Sequence, residues 1–191
     1  MNFEHAAVAA LDRAGERLAA AGRGRPEVDR AAYLLSEAGT HSALWHALNL
    51  TDLVVGGAVA ARRGGPGAAR AHRRRAARRS LVLGAEQAVV NGAVKTLFRR
   101  VRPGHVTEHP HELRTPRTSS FPSGHASAGA CAATLLSADL GAAPLWWALA
   151  AAVAWSRVHV GAHHTSDVVG GAVIGRRLAR LAGLLWPPAH A

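Results

Sequence analysis

Apolar positions along the chain gather into five long stretches, 41–61, 80–98, 124–140, 143–160 and 165–186. Each is close to the roughly 20 residues with which an α-helix crosses a hydrocarbon layer of ~30 Å. None shows the period-two alternation of a half-buried strand, so the pattern predicts an all-α protein, a membrane-embedded helical bundle of about five long helices. Asp52, Glu86, Gln87, Asn91 and Asp139 interrupt the stretches, and a bundle accommodates such groups by burying them against one another. Gly and Ala at helical spacing in AGACAATLLSA and VVGGAVIG predict helices that approach closely. Trp146, Trp147 and Trp155 bracket one stretch and suit an interfacial belt and core filling equally.

Ahead of these lies a different pattern. In MNFEHAAVAALDRAGERLAAAG, Val8, Leu11 and Leu18 fall near one face at helical spacing, which predicts an N-terminal amphipathic helix. Asp12, Arg13, Glu16 and Arg17 deny it the uncharged centre of a cleavable signal. Gly22, Gly24 and Pro26 end the periodicity, and a second short helix is expected from about Glu27 to Glu37. Residues 1–40 are thus expected as amphipathic or interfacial helices, and 41–191 as one helical domain, since 191 residues are few for two domains.

Charge changes the picture in one place. The chain carries a formal +11, and residues 62–79 hold eight arginines without one acid. Set between two apolar stretches, this run predicts a cytoplasmic loop obeying the positive-inside rule. Nucleic acid is not the expected partner, because the run lacks interleaved aromatic or base-reading side chains. Counting helices from a cytoplasmic loop brings the ends near 98, 124, 158 and 165 together on the extracytoplasmic face, and returns Arg176, Arg177 and Arg180 inside. The single cysteine, Cys131, excludes an internal disulfide framework and reads as a small buried apolar residue.

Three clusters occupy those converging ends. A phosphate carries two negative charges on oxygens that each accept several hydrogen bonds, so its pocket needs cations and oriented donors. Lys95, Arg102 and Arg157 supply the cations. Lys95 and Arg102, seven residues apart, are expected on one side of a helix that continues through both. Lys95 is the one lysine beside 22 arginines, and a compact ammonium suits a place where a planar guanidinium does not fit. Ser123 and Gly124 precede a helix expected to begin near His125, which turns a hydroxyl and backbone N–H groups towards an anion. His163 and Asp167, four apart, are expected on one helical face, with the carboxylate taking the Nδ1 proton and Nε2 left as a nucleophile. His125 is placed to protonate a leaving alkoxide and then to activate water. Singly, each histidine reads as a structural residue; their combination points to phosphoryl transfer through histidine.

Lys95, six residues, Arg102-Pro103; then Pro122-Ser123-Gly124-His125; then Ser156-Arg157, five residues, His163, three residues, Asp167: this three-part signature resembles the type 2 phosphatidic acid phosphatase superfamily across residues 95–167. The resemblance implies a helical bundle with the motifs at helix ends. It implies His163 as nucleophile, Asp167 as its orienting partner, and His125 as acid and base. Lys95, Arg102, Ser123, Gly124 and Arg157 become the phosphate binders, while Ser156 and Pro103 serve shape. The implied reaction is hydrolysis, without metal or cofactor, of a phosphate monoester or diphosphate on a membrane lipid of polyprenyl-phosphate or phosphatidate type. The chain is also similar to small actinobacterial members that act on polyprenyl-phosphoryl sugars such as decaprenylphosphoryl-5-phosphoribose, which would place it in a bacterial plasma membrane. It departs from many bacterial members in reading His163-His164-Thr165 where they resemble His-Tyr-Pro.

Two other readings stand beside this one. The same pocket resembles those of soluble acid phosphatases and vanadium haloperoxidases, and a non-enzymatic basic membrane or nucleic-acid binder would use residues 62–79. The loop 104–121, with His105, His109, His111 and Glu112, reads as a lid over the site rather than a metal set, because Pro110 and Pro116 break any regular ligand spacing. Oligomeric state leaves no mark on the sequence.

Overall fold

The structure is a computed structural model, and it describes residues 5–103 and 118–187; most of the loop expected as a lid, with its candidate metal ligands, lies outside them. The chain forms α1 (Ala6–Ala20), α2 (Pro26–Ala38), α3 (Ala43–Thr51), α4 (Gly57–Ala88), α5 (Gly124–Leu140), α6 (Ala143–His159) and α7 (Thr165–Leu185). Among the described residues there is no strand. The last three helices begin where the apolar pattern begins, because Ser123, Pro144 and the loop before Thr165 each stop the chain from continuing as helix upstream.

Helix α5 is the axis of the bundle. It is apolar nearly all round, and its small side chains let α6, α7 and α4 close on it. The core gathers Ala128, Cys131, Ala132, Leu135 and Leu136 of α5 with Trp45, Val82, Leu83, Val153 and Ala179 from four other helices. Gly171 and Gly175 of α7 lie so near the α5 backbone that a methyl group at either would run into a carbonyl oxygen, of Ser123 and Ser127 respectively. Cys131 is fully buried and free. Trp146 and Trp147 pack against this core, and Trp155 packs on a smaller cluster with Tyr33 and Val160.

The arginine run is not a loop. It is helical, and the chain reverses within α4 at Gly65, whose φ of +72° favours glycine, with Pro66 opening the outgoing arm. The arms lie side by side, so that His72 Nε2 stands 3.1 Å from Asp52 Oδ1. Arginine and alanine are good helix formers, and a run poor in large apolar residues still forms helix when its ends belong to packed elements and alanines such as Ala69 and Ala76 are buried. The charge is only partly solvated: Arg79 is 1% exposed and meets Asn49 Oδ1 at 2.9 Å, Asp139 Oδ2 at 2.8 Å and Asp52 Oδ2. Arg78 donates to the carbonyl of Trp186 at 2.6 Å, which ties the end of α7 to the same pole. The polar interruptions of the apolar stretches thus fall into two clusters, this one and a second in which Glu86 and Gln87 bond each other, Ser127 and Asn91.

Within the helical stretch Thr40–Leu97, which folds back at Gly65, a window of 18 residues is apolar enough to cross a membrane. Leu50, Val54, Val55, Val59, Leu81, Val169, Val173, Leu181 and Leu184 face outward, a surface suited to hydrocarbon and unsuited to water. Leu11 and Leu18 of α1 are also exposed, Leu18 at the edge of a groove it shares with Ala130, Trp147 and Val169. The face of α1 that docks is a different one, carrying Asp12, Gly15 and Ala19, and Gly15 lets α1 lie directly on Thr165 of α7.

Candidate active site

The three clusters meet at the pole opposite the arginines. After Ala88 the chain passes through a π-helical turn, Val89–Ala93, and a 3₁₀ turn, Val94–Leu97, and becomes extended at Phe98. Lys95 and Arg102 therefore do not share a helix face as their spacing predicts. They converge because the chain turns back, with Ser120 N donating to Arg100 O at 2.9 Å and Arg100 N to Ser119 Oγ at 3.1 Å. Lys95 lies within electrostatic reach of Arg102, Arg157 and Asp167. His125, in turn, lies within reach of Arg157, His163 and Lys95.

Ser123 is the N-cap of α5, its hydroxyl taking Ala126 N at 3.4 Å, and its own N–H donates to Asp167 O at 3.0 Å. Gly124 opens the helix, and a side chain there would collide with Asn91. His125 Nε2 lies 3.1 Å from the carbonyl of Ser36, so it carries a proton, because a carbonyl only accepts. Arg157 Nη1 donates to Ser36 Oγ. Ser156 turns its hydroxyl back to Val153 O at 2.7 Å, a shaping role.

His163 and Asp167 do not share a helix either. Helix α7 starts at Thr165, so His163 sits in the preceding loop while Asp167 occupies the first turn and reaches back to His164 N at 2.9 Å. His163 Nδ1 stands 3.7 Å from Asp167 Oδ2, a short ion-pair approach rather than a formed hydrogen bond. The other ring nitrogen, Nε2, lies 3.3 Å from Arg102 Nη1, and Arg102 also donates to Ala162 O at 2.8 Å. His163 is 3% exposed. Burial first, and then the charges of Arg102 and Arg157, push its pKa from 6.5 down to about 4, against the pull of Asp167. The ring is neutral near pH 7, with its lone pair on Nε2.

Lys95, Arg102 and Arg157 crowd positive charge around that nitrogen. Among the described residues, Arg102 Nε and Arg157 Nε are buried without a hydrogen-bond partner. A tetrahedral dianion would satisfy such donors and relieve the repulsion between the cations. A phosphorus atom held there would face a neutral imidazole on one side.

Five participants carry no motif signal. Asp12 and Arg100 bond each other, and Arg100 bonds Asp167. Ser120 Oγ donates to Asp167 Oδ2 at 2.9 Å. Ser36 holds His125 and Arg157 together, and Asn91 flanks Gly124. In sequence Asp12 is one acid on an amphipathic helix and Arg100 one arginine of many, so no local pattern marks them.

The decaprenylphosphoryl-5-phosphoribose phosphatase of Mycolicibacterium smegmatis is 36% identical over 152 residues, 78% of this chain and 73% of its own length. The enzyme of the same name from Mycobacterium tuberculosis is 39% identical over 82 residues, 43% of this chain and 45% of its own. The crystal structure of a transmembrane PAP2-type phosphatidylglycerolphosphate phosphatase from Bacillus subtilis superposes with a TM-score of 0.68 at 26% identity, over 96% of this chain and 88% of that one. The sequence model of the PAP2 superfamily matches residues 79–189. With its helical bundle and with the motif residues gathered at one pole, this chain belongs to the PAP2 superfamily and is a membrane phosphatase.

Proposed function

We propose that the protein hydrolyses a phosphate monoester or diphosphate of a membrane lipid, of polyprenyl or phosphatidate type, through a phosphohistidine formed on His163. The observation that carries this reading is the ring of His163, with Nε2 facing the guanidinium of Arg102 and Nδ1 facing Asp167. In the first step Nε2 attacks phosphorus in line and the bond to the lipid oxygen breaks. His125, made cationic by the bound phosphate dianion and keeping its Nε2–H on the Ser36 carbonyl, gives its Nδ1 proton to that oxygen, and Asp167 balances the charge gained by the ring of His163. In the second step His125 takes a proton from water, whose oxygen attacks phosphorus and frees His163 as inorganic phosphate leaves. Lys95, Arg102, Ser123, Gly124 and Arg157 hold the phosphate oxygens, and no metal takes part.

The arginine-rich middle of α4, around its reversal at Gly65, and the C-terminal half of α7 lie at the pole opposite the site. By the positive-inside rule this supports a site on the extracytoplasmic face. The relatives' names favour a decaprenylphosphoryl-5-phosphoribose-like substrate among the lipid phosphates.

The test is phosphate release by detergent-purified protein from farnesyl phosphate, phosphatidate and phosphatidylglycerophosphate, ³²P-labelled, with rapid quenching in alkaline SDS to trap label on protein. Turnover in wild type, an acid-labile phosphoprotein, and neither in His163→Ala support the mechanism. Turnover by His163→Ala, or its loss on adding EDTA, would overturn it.

A further inference from the structure

We infer that Asp12 of α1 and Arg100 are positioning residues for the catalytic pair, so that the N-terminal helix is a working part of the active site. This rests on the reading of His163 as nucleophile and Asp167 as its partner. Arg100 stands between two carboxylates: Nη2 donates to Asp12 Oδ2 at 2.6 Å and Nη1 to Asp167 Oδ1. Nη1 also reaches Ser166 Oγ at 2.7 Å. Asp12 in turn takes Ser166 N at 2.8 Å and Ser166 Oγ at 3.0 Å, which seats α1 on the first turn of α7. The Arg100, Asp12 and Asp167 side chains are 9%, 14% and 0% exposed, so little solvent screens them.

The charges explain the arrangement. Asp167 must be held still, since Ser120 and His164 N fix one oxygen and Arg100 the other. A lone arginine on Asp167 would also neutralise it, and a neutralised carboxylate attracts the imidazole proton weakly. Asp12 shares Arg100, so the triad Asp12, Arg100 and Asp167 keeps one net negative charge. That charge faces the ring that turns cationic when His163 takes up phosphate. Asp12 thereby leaves Asp167 oriented without cancelling it.

The experiment measures kcat, KM and vanadate inhibition on the full-length protein in detergent, with farnesyl phosphate as substrate. Arg100→Gln is expected to lower kcat about a hundredfold and Asp12→Asn about tenfold, with KM and the vanadate inhibition constant within about threefold of wild type. Asp12→Asn combined with Arg100→Gln should be no slower than Arg100→Gln alone, because both act through one interaction. Asp12→Glu should recover most of the rate, and Arg13→Gln, on the exposed side of the same helix, should behave as wild type. Thermal melting in detergent monitors folding, so that rates refer to folded protein. Wild-type kcat in folded Asp12→Asn, or a loss confined to KM and vanadate affinity, overturns the inference. Should Arg100→Gln not fold, Asp12→Asn and Asp12→Glu decide the matter alone. If His163→Ala is inactive while the Asp12 variants are normal, this inference fails alone; if His163→Ala turns over, the reading beneath it fails.

Discussion

Arg102 Nη1 lies 3.3 Å from His163 Nε2, and this contact assigns the proton of the ring. A guanidinium cannot accept a hydrogen bond, so Nε2 holds the lone pair and Nδ1 the proton, facing Asp167. The tautomer of His163 is thus set by Arg102 as well as by the carboxylate of Asp167.

The first prediction concerns pH. The pKa of His163 is pushed from 6.5 to about 4, so its nucleophilic form persists in mild acid. The acid limb of kcat/KM, divided by the fraction of dianionic substrate titrated separately by ³¹P NMR, is expected well below 6.5, and a limb at or above 6.5 contradicts it. Stability has the corresponding sign. The folded ring binds a proton less readily than the unfolded one, so its contribution is complete above pH 6.5 and falls as pH drops towards about 4. His163→Asn should melt with a weaker pH dependence across that window.

The second concerns the anion pocket. Arg102→Gln removes a half-buried cation, and Arg157→Gln a buried one, from the cluster around His163. Vanadate inhibition should weaken by one to two orders of magnitude, in line with about 1.5–3 kcal/mol for a charged hydrogen bond. Unchanged inhibition in both variants would place the anion elsewhere.

A third prediction tests the close approach of α5 and α7. Gly175→Ala drives a methyl group into the carbonyl of Ser127, and overpacking of this kind destabilises by about 1–3 kcal/mol. The thermal midpoint should fall by several degrees. Gly183→Ala, on the same helix with open space around it, should leave the midpoint unchanged or raised; equal effects in the two would refute the packing argument.

The fourth addresses the opposite pole. Arg79→Met leaves Asp52 and Asp139 without their shared cation, and breaking a buried pair in this way is worth about 3–5 kcal/mol. Detergent-extracted variant should melt far below wild type, and the doubly neutralised Asp52→Asn, Asp139→Asn background should reduce that loss. No rescue in that background would mean the arginine acts through other contacts.

Much of this was legible in one dimension. Apolar runs set the helices because a segment with no surface for water must bury its backbone polar groups in its own hydrogen bonds. Spacing and residue type singled out Lys95, Arg102, Ser123, Gly124, His125, Arg157, His163 and Asp167, which the fold brings to one pole. Helical spacing does not carry across a junction, and charge alone does not distinguish a loop from a helix. Lys95 and Arg102 are joined by a turn, His163 precedes its helix, and residues 62–79 form two helical arms about Gly65. Junction geometry depends on what each end packs against, and that is not written locally.

The sequence by itself determined the helical class, the apolar exterior and the identities of the charged and histidine side chains that gather at one pole, because these follow from side-chain chemistry and periodicity. Only the tertiary structure decided which groups support them. Asp12, Ser36, Arg100 and Ser120 reach the site from separate parts of the chain. Their roles come from the electrostatics of contact, which exists once the helices have packed.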